Sequence, residues 1–593
     1  MIEIQLPNIL KEYRPELNGL RALAVVLVLL YHLNFPWMKG GFLGVDVFLV
    51  ISGYFISKNI LYGLQNKTFS FTGFYTKRLR RLFPALIFTL VIVLVAGYFL
   101  LTPSSYERLG LSSIFASFSA SNFFFWSESG YFNLDAVTKP LLHMWSLSLE
   151  EQFYLFWPLV LVALYKYLKK YLFLFISLLV LGSIALSEVY FSTHPDATFF
   201  LIPFRMFEFL LGASCIWLEN IFKNRQRFFL EFLFISGLVL ILYSGVKFNN
   251  SSRMPGLMSL IPCVGAMLVI LGGKAQTFSW ILKNKPVELI GKASYSIYLI
   301  HWPLIVYYKY WSFSELTLKT QLWLGIISIL LGLLMWYFIE NTFRYRKNKR
   351  KKIDPIWFAI PLLILGVSVM SGMVWKSEGV PSRFSGELYM TTEEILANRK
   401  GYWKESNSKN TVLKGEEGKG HIIVLGNSHA IDLIYALRSG GLQSKITSLQ
   451  TSGKCYNFGI AEKELDHDFC ATKRQRNLEN INWKVADAIY LHDDWPQWES
   501  EGFRKIIKDI RTLSKAPIFV FGPKMVYKEQ VPEIISSSNS IIPKIINERA
   551  KEFAQKDLKA NINSKLQNEF KRPYYKDSNI QYVDLLTLQG GEN

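Results

Sequence analysis

Apolar residues fall into long runs over the first part of the chain and into short runs after it. From Leu20 to about Trp375 the runs come close to the roughly 20 residues that a membrane-spanning helix needs. After Lys376, short apolar runs alternate with charged stretches, as in a water-soluble domain. One apolar run is as easily a buried core helix, but about a dozen in succession is not. The boundary between the two solvents is therefore predicted near residue 376.

Lysine and arginine placement sets the predicted orientation. Basic clusters stand at Lys77 to Arg81, Lys166 to Lys170, Lys223 to Arg227, Lys283 with Lys285, and Arg344 to Lys352. If all face the cytoplasm, an even number of spans must separate each from the next. Spans near 20–36, 42–63, 83–101, 148–165, 171–191, 200–219, 228–247, 256–272, 288–311, 320–340 and 356–375 satisfy this. Eleven spans with the N-terminus inside put residues 376–593 on the far side, which in a bacterium is the periplasm. The segment 105–125 is apolar, but a full crossing there would put Lys166, Lys169 and Lys170 outside. Residues 102–147 are therefore read as an excursion on the outer face. The expected domains are 1–345, a linking stretch 346–420 containing the eleventh span, and 421–593.

Composition supports a membrane protein. Of the 593 residues 50% are hydrophobic and 19% charged, and mean hydropathy is +0.20. The net charge of +20 would suggest a nucleic-acid partner in a soluble protein. Here its densest clusters flank spans on one side, so membrane lipids are expected as surroundings and nucleic acid is not. Four cysteines are too few for a disulfide scaffold. The first apolar stretch follows Arg14 and Arg21 and reads as a retained span rather than a cleaved signal.

Ionisable groups at membrane depth are costly, which makes each a candidate for function. Arg21 and His32 stand eleven residues apart, about 16 Å along a helix. Asp46 comes early in the next span, so it and His32 can meet at similar depth. An acid that orients an imidazole suits a general base or a transient acyl acceptor. The plain alternative is two separate interfacial residues. Arg78 and Arg81 form an R-x-x-R pair, suited to bidentate phosphate contacts, but also explained by the positive-inside rule. The stretch Pro140 to Tyr154 carries His143, Glu150 and Glu151 at a span start. Capping by Ser146 or Ser148 competes there with a polar site. Arg205 and Glu208 read as an ion pair within a span, and His301 as an interfacial residue beside Trp302.

In order and spacing these residues resemble the acyltransferase-3 family. The similar text runs Tyr13-Arg14-Pro15-Glu16-Leu17-Asn18-Gly19-Leu20-Arg21, then His32, then Gly40 to Tyr54 with Asp46. It continues through Phe74-Tyr75, Lys77 to Pro84, His143 to Tyr154, Arg205 with Glu208 and Gly212, Ser294 to Pro303, and Glu340 with Phe343-Arg344. The resemblance covers about residues 10–345. It implies ten spans for the acyltransferase unit, with an acyl-CoA donor, expected as acetyl-CoA, on the cytoplasmic side. It also implies transfer to a carbohydrate hydroxyl at the outer face. Arg21 and His32 match the family's basic-x10-His motif. Arg78 and Arg81 match the R-x-x-R associated with the CoA phosphates. Asp46, His143, Glu150 and Glu151 gain weight as site residues.

In the polar half, Ile423-Val424-Leu425 reads as a buried strand that turns at Gly426 into a helix after Ser428. A serine at such a turn lies near free helix N–H groups, good for an oxyanion hole, although an N-cap serine would look the same. Further buried strands at Ala488 to Leu491 and Pro517 to Phe521, with helix periodicity over Phe503 to Leu513, predict an α/β layer with a mostly parallel sheet. This half resembles an SGNH-type esterase or acyltransferase domain, with Gly426-Asn427-Ser428-His429 as its first block. Asn427 replaces the usual Asp. The resemblance makes Ser428 the nucleophile and Gly453 a second oxyanion donor. The family's C-terminal Asp-x-x-His is missing after Asp584, so the expectation is a chain that stops short of that motif. His421, His429, His467 and His492 do not stand where it belongs. Cys455 and Cys470 can close a loop of about 15 residues, worth about 3 kcal/mol. Cys215 and Cys263 fall inside spans as small core residues, and no spacing suggests a metal site.

The expected protein is a bacterial inner-membrane O-acyltransferase of acetyl-CoA dependence. It would modify a cell-envelope polysaccharide such as lipopolysaccharide O-antigen, the acceptor being free or lipid-linked. A transporter or flippase with a periplasmic binding domain is the first alternative, and a membrane-anchored carbohydrate esterase the second.

Overall fold

A computed structural model describes residues 13–129, 139–222, 225–249, 252–312, 316–344, 354–383, 412–416, 418–450, 479, 481–493, 500–524, 556–576 and 579–588. The chain divides into two compact units, 1–381 and 382–593.

The first unit is helical. Its main helices are α1 (Pro15–His32), α2 (Gly44–Gln65), α3 (Phe71–Leu100), α4 (Pro103–Ser117), α5 (Ser121–Ser127), α6 (Met144–Leu168) and α7 (Leu172–Phe191). They are followed by α8 (Ile202–Phe222), α9 (Arg227–Lys247), α10 (Leu260–Leu271), α11 (Ser294–Ser312), α12 (Leu318–Met335) and α13 (Ile356–Lys376). Local sequence starts and stops them. Pro15 and Pro103 stand in the first turns of α1 and α4, where a missing N–H costs nothing. Ser70 caps α3 by accepting from the Gly73 N–H. Asn34, at φ 60°, turns the chain after α1.

Each of the eleven segments expected to span is helical. Among the described residues, seven helical stretches are long and apolar enough to cross a membrane. One of them, Met144–Phe191, holds both α6 and α7. The expected spans outside those seven are α1, α10 and α11. The helix α10 has only 12 residues. α1 and α11 carry the polar load, including Arg21, His32, Ser296 and His301, and most of their residues are buried within the unit. The segment 105–125 forms α4 and α5, of 15 and 7 residues, both shorter than a crossing requires. Elsewhere large apolar side chains face outward, among them Phe99, Val189, Phe228 and Leu362. In water such a surface would drive association, but acyl chains solvate it.

Small residues bring the helices together. A Cβ on Gly53 of α2 would lie 1.8 Å from the Phe209 carbonyl oxygen, and one on Gly212 of α8 would lie 1.9 Å from that of Val50. The two backbones therefore touch at a reciprocal glycine contact, the arrangement that packs helices where no water drives association. Gly237 of α9 and Gly265 of α10 repeat the device.

Among its described residues the second unit holds one six-stranded sheet. Its strands are β1 (Val412–Leu413), β2 (His421–Gly426), β3 (Lys445–Gln450), β4 (Ala488–His492), β5 (Ile518–Phe521) and β6 (Ile580–Val583). The order is β1-β3-β2-β4-β5-β6, parallel except for β1. Alternate residues of β2 face opposite cores. Ile423 and Leu425 join Leu491, Val520 and the stripe Phe503, Ile506, Ile507 and Ile510 of α15 (Ser500–Leu513), where α14 (Ser428–Ser439) covers the other face. There Ile422 and Val424 meet Ala430, Leu433 and Ile434. The mostly parallel α/β layer expected from the sequence is present. From β2 the chain moves to β3 on one side, and β4 lies on the other, so β2 and β4 flank a topological switch point. His492 ends β4 opposite Gly426, buried, with Nδ1 donating to the Phe521 carbonyl at 3.2 Å.

Two outcomes follow. Gly53→Ala must part α2 from α8, and should cost about 1–3 kcal/mol, seen as a lower melting temperature of the detergent-solubilised protein. Gly182→Ala in α7, where a Cβ meets nothing within 4 Å, should not lower it. The second outcome concerns His492. Burial pushes its imidazole down to about 4, against the opposing pull of the Phe521 carbonyl. The unfolded chain takes up this proton near pH 6.5 and the folded chain refuses it until about pH 4. Stability from this group is thus complete above pH 6.5 and is lost as pH falls through that window, by up to about 3 kcal/mol. Amide-exchange protection of β2, β4 and β5, corrected for intrinsic rates, should fall between pH 7 and 4.5, and less so in His492→Asn.

Candidate active site

Helices α1, α2, α3, α6 and α11 enclose a cavity of about 970 Å3, within the size range of small-molecule sites. Its wall gathers Arg21 from α1, Ser52 from α2, Arg78 and Arg81 from α3, and Glu150 and Tyr154 from α6. Tyr295 and Tyr298 of α11 and Arg344 complete it. The arginine pair and Arg21, far apart in sequence, thus share one space with Glu150. The Arg78 guanidinium lies 5.0 Å over the Tyr154 ring and 5.6 Å over Phe74. Glu150 accepts from the Ser52 hydroxyl and from Tyr154 Oη, the latter at 2.5 Å. Arg80, also in the wall, pairs with Asp354 of the same cavity at 2.6 Å. The Nε–H of Arg81 is buried with no hydrogen-bond partner among the described residues. A cavity rich in guanidinium with an unspent buried donor suits a ligand carrying several anionic groups.

A cluster of histidines adjoins the cavity. Ser146 and Tyr298 line the cavity wall, 2.7 Å apart through their hydroxyls. The Tyr298 hydroxyl also donates to the His143 carbonyl at 3.2 Å, and its ring lies 5.4 Å from the His143 ring and 5.2 Å from that of His301. His301 Nε2 lies 2.9 Å from His32 Nδ1, with the two rings stacked at 5.1 Å. His143 Nε2 donates to the Leu299 carbonyl at 3.2 Å. Trp302 packs on His32 at 4.5 Å and donates its indole N–H to the Lys139 carbonyl. His32, half-buried at the end of α1, is thereby held on two sides.

The expected meeting of His32 with Asp46 does not occur. Asp46 accepts from Arg205 Nη2 at 2.9 Å, and Arg205 Nε donates to Glu208 at 2.9 Å. The Arg205–Glu208 pair read from the sequence is there, and Asp46 belongs to it. The reason is the close approach of α2 and α8, which buries Asp46 against α8 where a carboxylate needs a cation. The Trp145 ring covers the guanidinium at 5.1 Å. Asp46, Glu208 and Cys263 place ligand atoms within 4.8 Å of one another, but Arg205 already supplies the positive charge of that cluster.

The partner of His32 is His301, read from the sequence only as interfacial. The signal was present in the Ser294 to Pro303 stretch, where Tyr298 and His301 stand at i, i+3 and share a helix face. Nor do Ser146 and Ser148 cap α6, which has no side-chain cap. Ser146 turns to Tyr298, and Ser148 accepts from the Ser121 N–H at 3.1 Å. Glu151 is bound by the Ser119 hydroxyl. Cys215 and Cys263 are buried free thiols.

In the second unit Ser428 is the first residue of α14, at the C-terminal end of β2 and beside the switch point. The Asn427 side chain accepts from the His429 N–H at 2.9 Å. This is the cap an Asp would make, so the departure at Asn427 keeps the local geometry. His492 lies across the strand from Gly426, with its ring 5.9 Å from that of His429. Asp584 is held by Asn563, Gln567 and Thr587. Gly453, Cys455, Cys470 and His467 lie outside the described residues.

The acyltransferase-3 family model, an acyltransferase domain, matches residues 14–369. The chain is 32% identical over 372 residues to the peptidoglycan O-acetyltransferase OatA of Listeria monocytogenes, covering 58% of this chain and 59% of that protein. It is also 32% identical over 389 residues to the O-acetyltransferase OatA of Staphylococcus aureus, covering 61% and 63%. A third relative is BcsY of Komagataeibacter xylinus, which bears the name of a membrane-bound transacylase. It is 32% identical over 334 residues, covering 56% of this chain and 83% of its own. The chain spans about six tenths of the length of the two OatA proteins. The family match takes in all the helices that enclose the cavity and carry the histidines, and by it the chain belongs to the acyltransferase-3 family.

Proposed function

We propose that the protein is an O-acetyltransferase that moves an acetyl group from acetyl-CoA to a hydroxyl of a cell-envelope polysaccharide. The observation that carries this is one cavity joining three arginines to a histidine cluster through Ser146 and Tyr298. Arg21, Arg78 and Arg81 bind the phosphates of the donor, whose charge matches the guanidinium excess. The thioester end points toward the Ser146–Tyr298 wall. The acceptor hydroxyl oxygen attacks the acetyl carbonyl, forming a C–O bond as the C–S bond breaks. His32 takes the hydroxyl proton and returns it to the leaving thiolate, so the products are the O-acetyl sugar and CoA thiol.

The positive-inside pattern supports a reading with the arginine side in the cytoplasm of a bacterial inner membrane, the N-terminus inside, and residues 382–593 in the periplasm. The acceptor is then an outward-facing glycan such as lipopolysaccharide O-antigen, free or lipid-linked, or peptidoglycan, which the name of the Listeria relative specifies for that protein. Ser428 at a strand-to-helix turn beside the switch point suits an SGNH-like second step, in which the serine takes the acetyl group from the O-acetyl sugar of the membrane step, freeing that hydroxyl, and passes it to a hydroxyl of the final glycan.

Mass spectrometry of envelope glycans with and without the protein tests the reading directly, since loss of the protein should remove a 42 Da acetyl increment, about the mass of C2H2O, from one glycan. Arg78→Ala and Arg81→Ala should each raise KM for acetyl-CoA about tenfold or more, with a smaller effect on kcat. His32→Ala should lower kcat at least about 100-fold. Unchanged glycan acetylation in His32→Ala would remove the membrane site from the reaction. Ser428→Ala should abolish glycan acetylation while leaving binding of acetyl-CoA intact, and full acetylation in that variant would leave the second unit a substrate-positioning role only.

A further inference from the structure

We infer that His301 is a positioning residue that sets the tautomer of His32 and aims its Nε2 at the acceptor hydroxyl. The inference rests on His32 being the proposed base, and it follows from the hydrogen bonds read in order. His301 Nδ1 lies 2.6 Å from the Tyr298 carbonyl oxygen. A carbonyl only accepts, so His301 Nδ1 carries the hydrogen. In the neutral ring Nε2 then holds a lone pair. That nitrogen faces His32 Nδ1 at 2.9 Å, so His32 Nδ1 must donate. The remaining nitrogen of His32, Nε2, is left with the lone pair, the form a general base requires.

The dyad suits its surroundings better than a carboxylate would. An acid beside His32 would bury a charge before any proton moved, at a cost of several kcal/mol. Asp46 and Glu208 are both bound to Arg205 instead. A neutral His301 costs less to bury. When His32 takes the acceptor proton at Nε2, its Nδ1–H still donates to His301 Nε2, which supports the imidazolium until the proton passes to the CoA thiolate. The Tyr298 carbonyl anchors the relay to the backbone of α11, and Trp302 fixes the His32 ring from the other side at 4.5 Å.

The test uses the full-length protein in inverted inner-membrane vesicles from cells that make it. Acetyl-CoA is the varied probe, and release of CoA thiol is the signal. His301→Leu removes the acceptor for His32 Nδ1–H but keeps apolar bulk. His301→Gln restores an acceptor through Oε1. His301→Leu should lower kcat about 100-fold with KM for acetyl-CoA within about twofold. His301→Gln should return kcat to within about tenfold of the parent. A structural role predicts something else: both variants lose protein or lose donor binding together, and either result overturns the inference. Equal kcat loss in Leu and Gln, or full kcat in Leu, also overturns it. His32→Ala measured alongside separates the two ideas. Loss of turnover there with full turnover in His301→Leu rejects the positioning role alone, whereas turnover kept in His32→Ala rejects the base itself.

Discussion

Arg205 lies between Asp46 and Glu208, on helices α2 and α8 whose backbones touch at Gly53 and Gly212. Taking three charges out of water is costly, and the cost is met only when each finds a partner at hydrogen-bond distance. The glycines make that possible by letting the helices approach until the guanidinium reaches a carboxylate on each. Once formed, the cluster fixes α2 against α8, and with it the position of Ser52, which binds Glu150 at the cavity wall. It also commits Asp46 and Glu208 to Arg205. His32 faces the imidazole of His301, which α11 supplies.

The two parts of the site solve different problems. The cavity concentrates positive charge, with Arg21, Arg78, Arg81 and Arg344 in its wall and Glu150 as an acid beside them. Such a surface attracts a polyanionic donor and pairs with it through planar forks. The histidine cluster is built from neutral imidazoles and hydroxyls, the groups least penalised by a low dielectric. The charged cavity and the neutral cluster meet at one pair of hydroxyls, Ser146 and Tyr298.

How much of this was legible in the sequence depends on the length scale of the signal. Helices such as α3, α9 and α13 announce themselves through apolar length alone. α1 and α11 also read as spans but carry Arg21, His32 and His301, which they can do because they are enclosed by other helices. The arginine pair is local, so R-x-x-R reads directly. The His32–Asp46 pairing was inferred from depth, and depth is one coordinate of three. It cannot tell which neighbouring helix Asp46 faces, and the glycine contact with α8 decides that. His301 lay in a recognised stretch, yet its partner is 269 positions away and no periodicity connects them.

The second unit shows the opposite balance. The strand, turn and helix around Ser428 are short-range, and the parallel sheet follows from buried strands separated by a helical stripe. What the sequence did not give was the neighbour of β2. Strand order places β4 beside it, so His492 comes to the C-terminal edge next to Gly426. The position is the one an α/β sheet offers to ligands, but the His492 imidazole is buried and donates to a strand carbonyl. Its low affinity for protons suits a structural donor that holds β4 to β5. The departure at Asn427 is thus not a sign of a lost site, since the amide oxygen caps α14 as a carboxylate would.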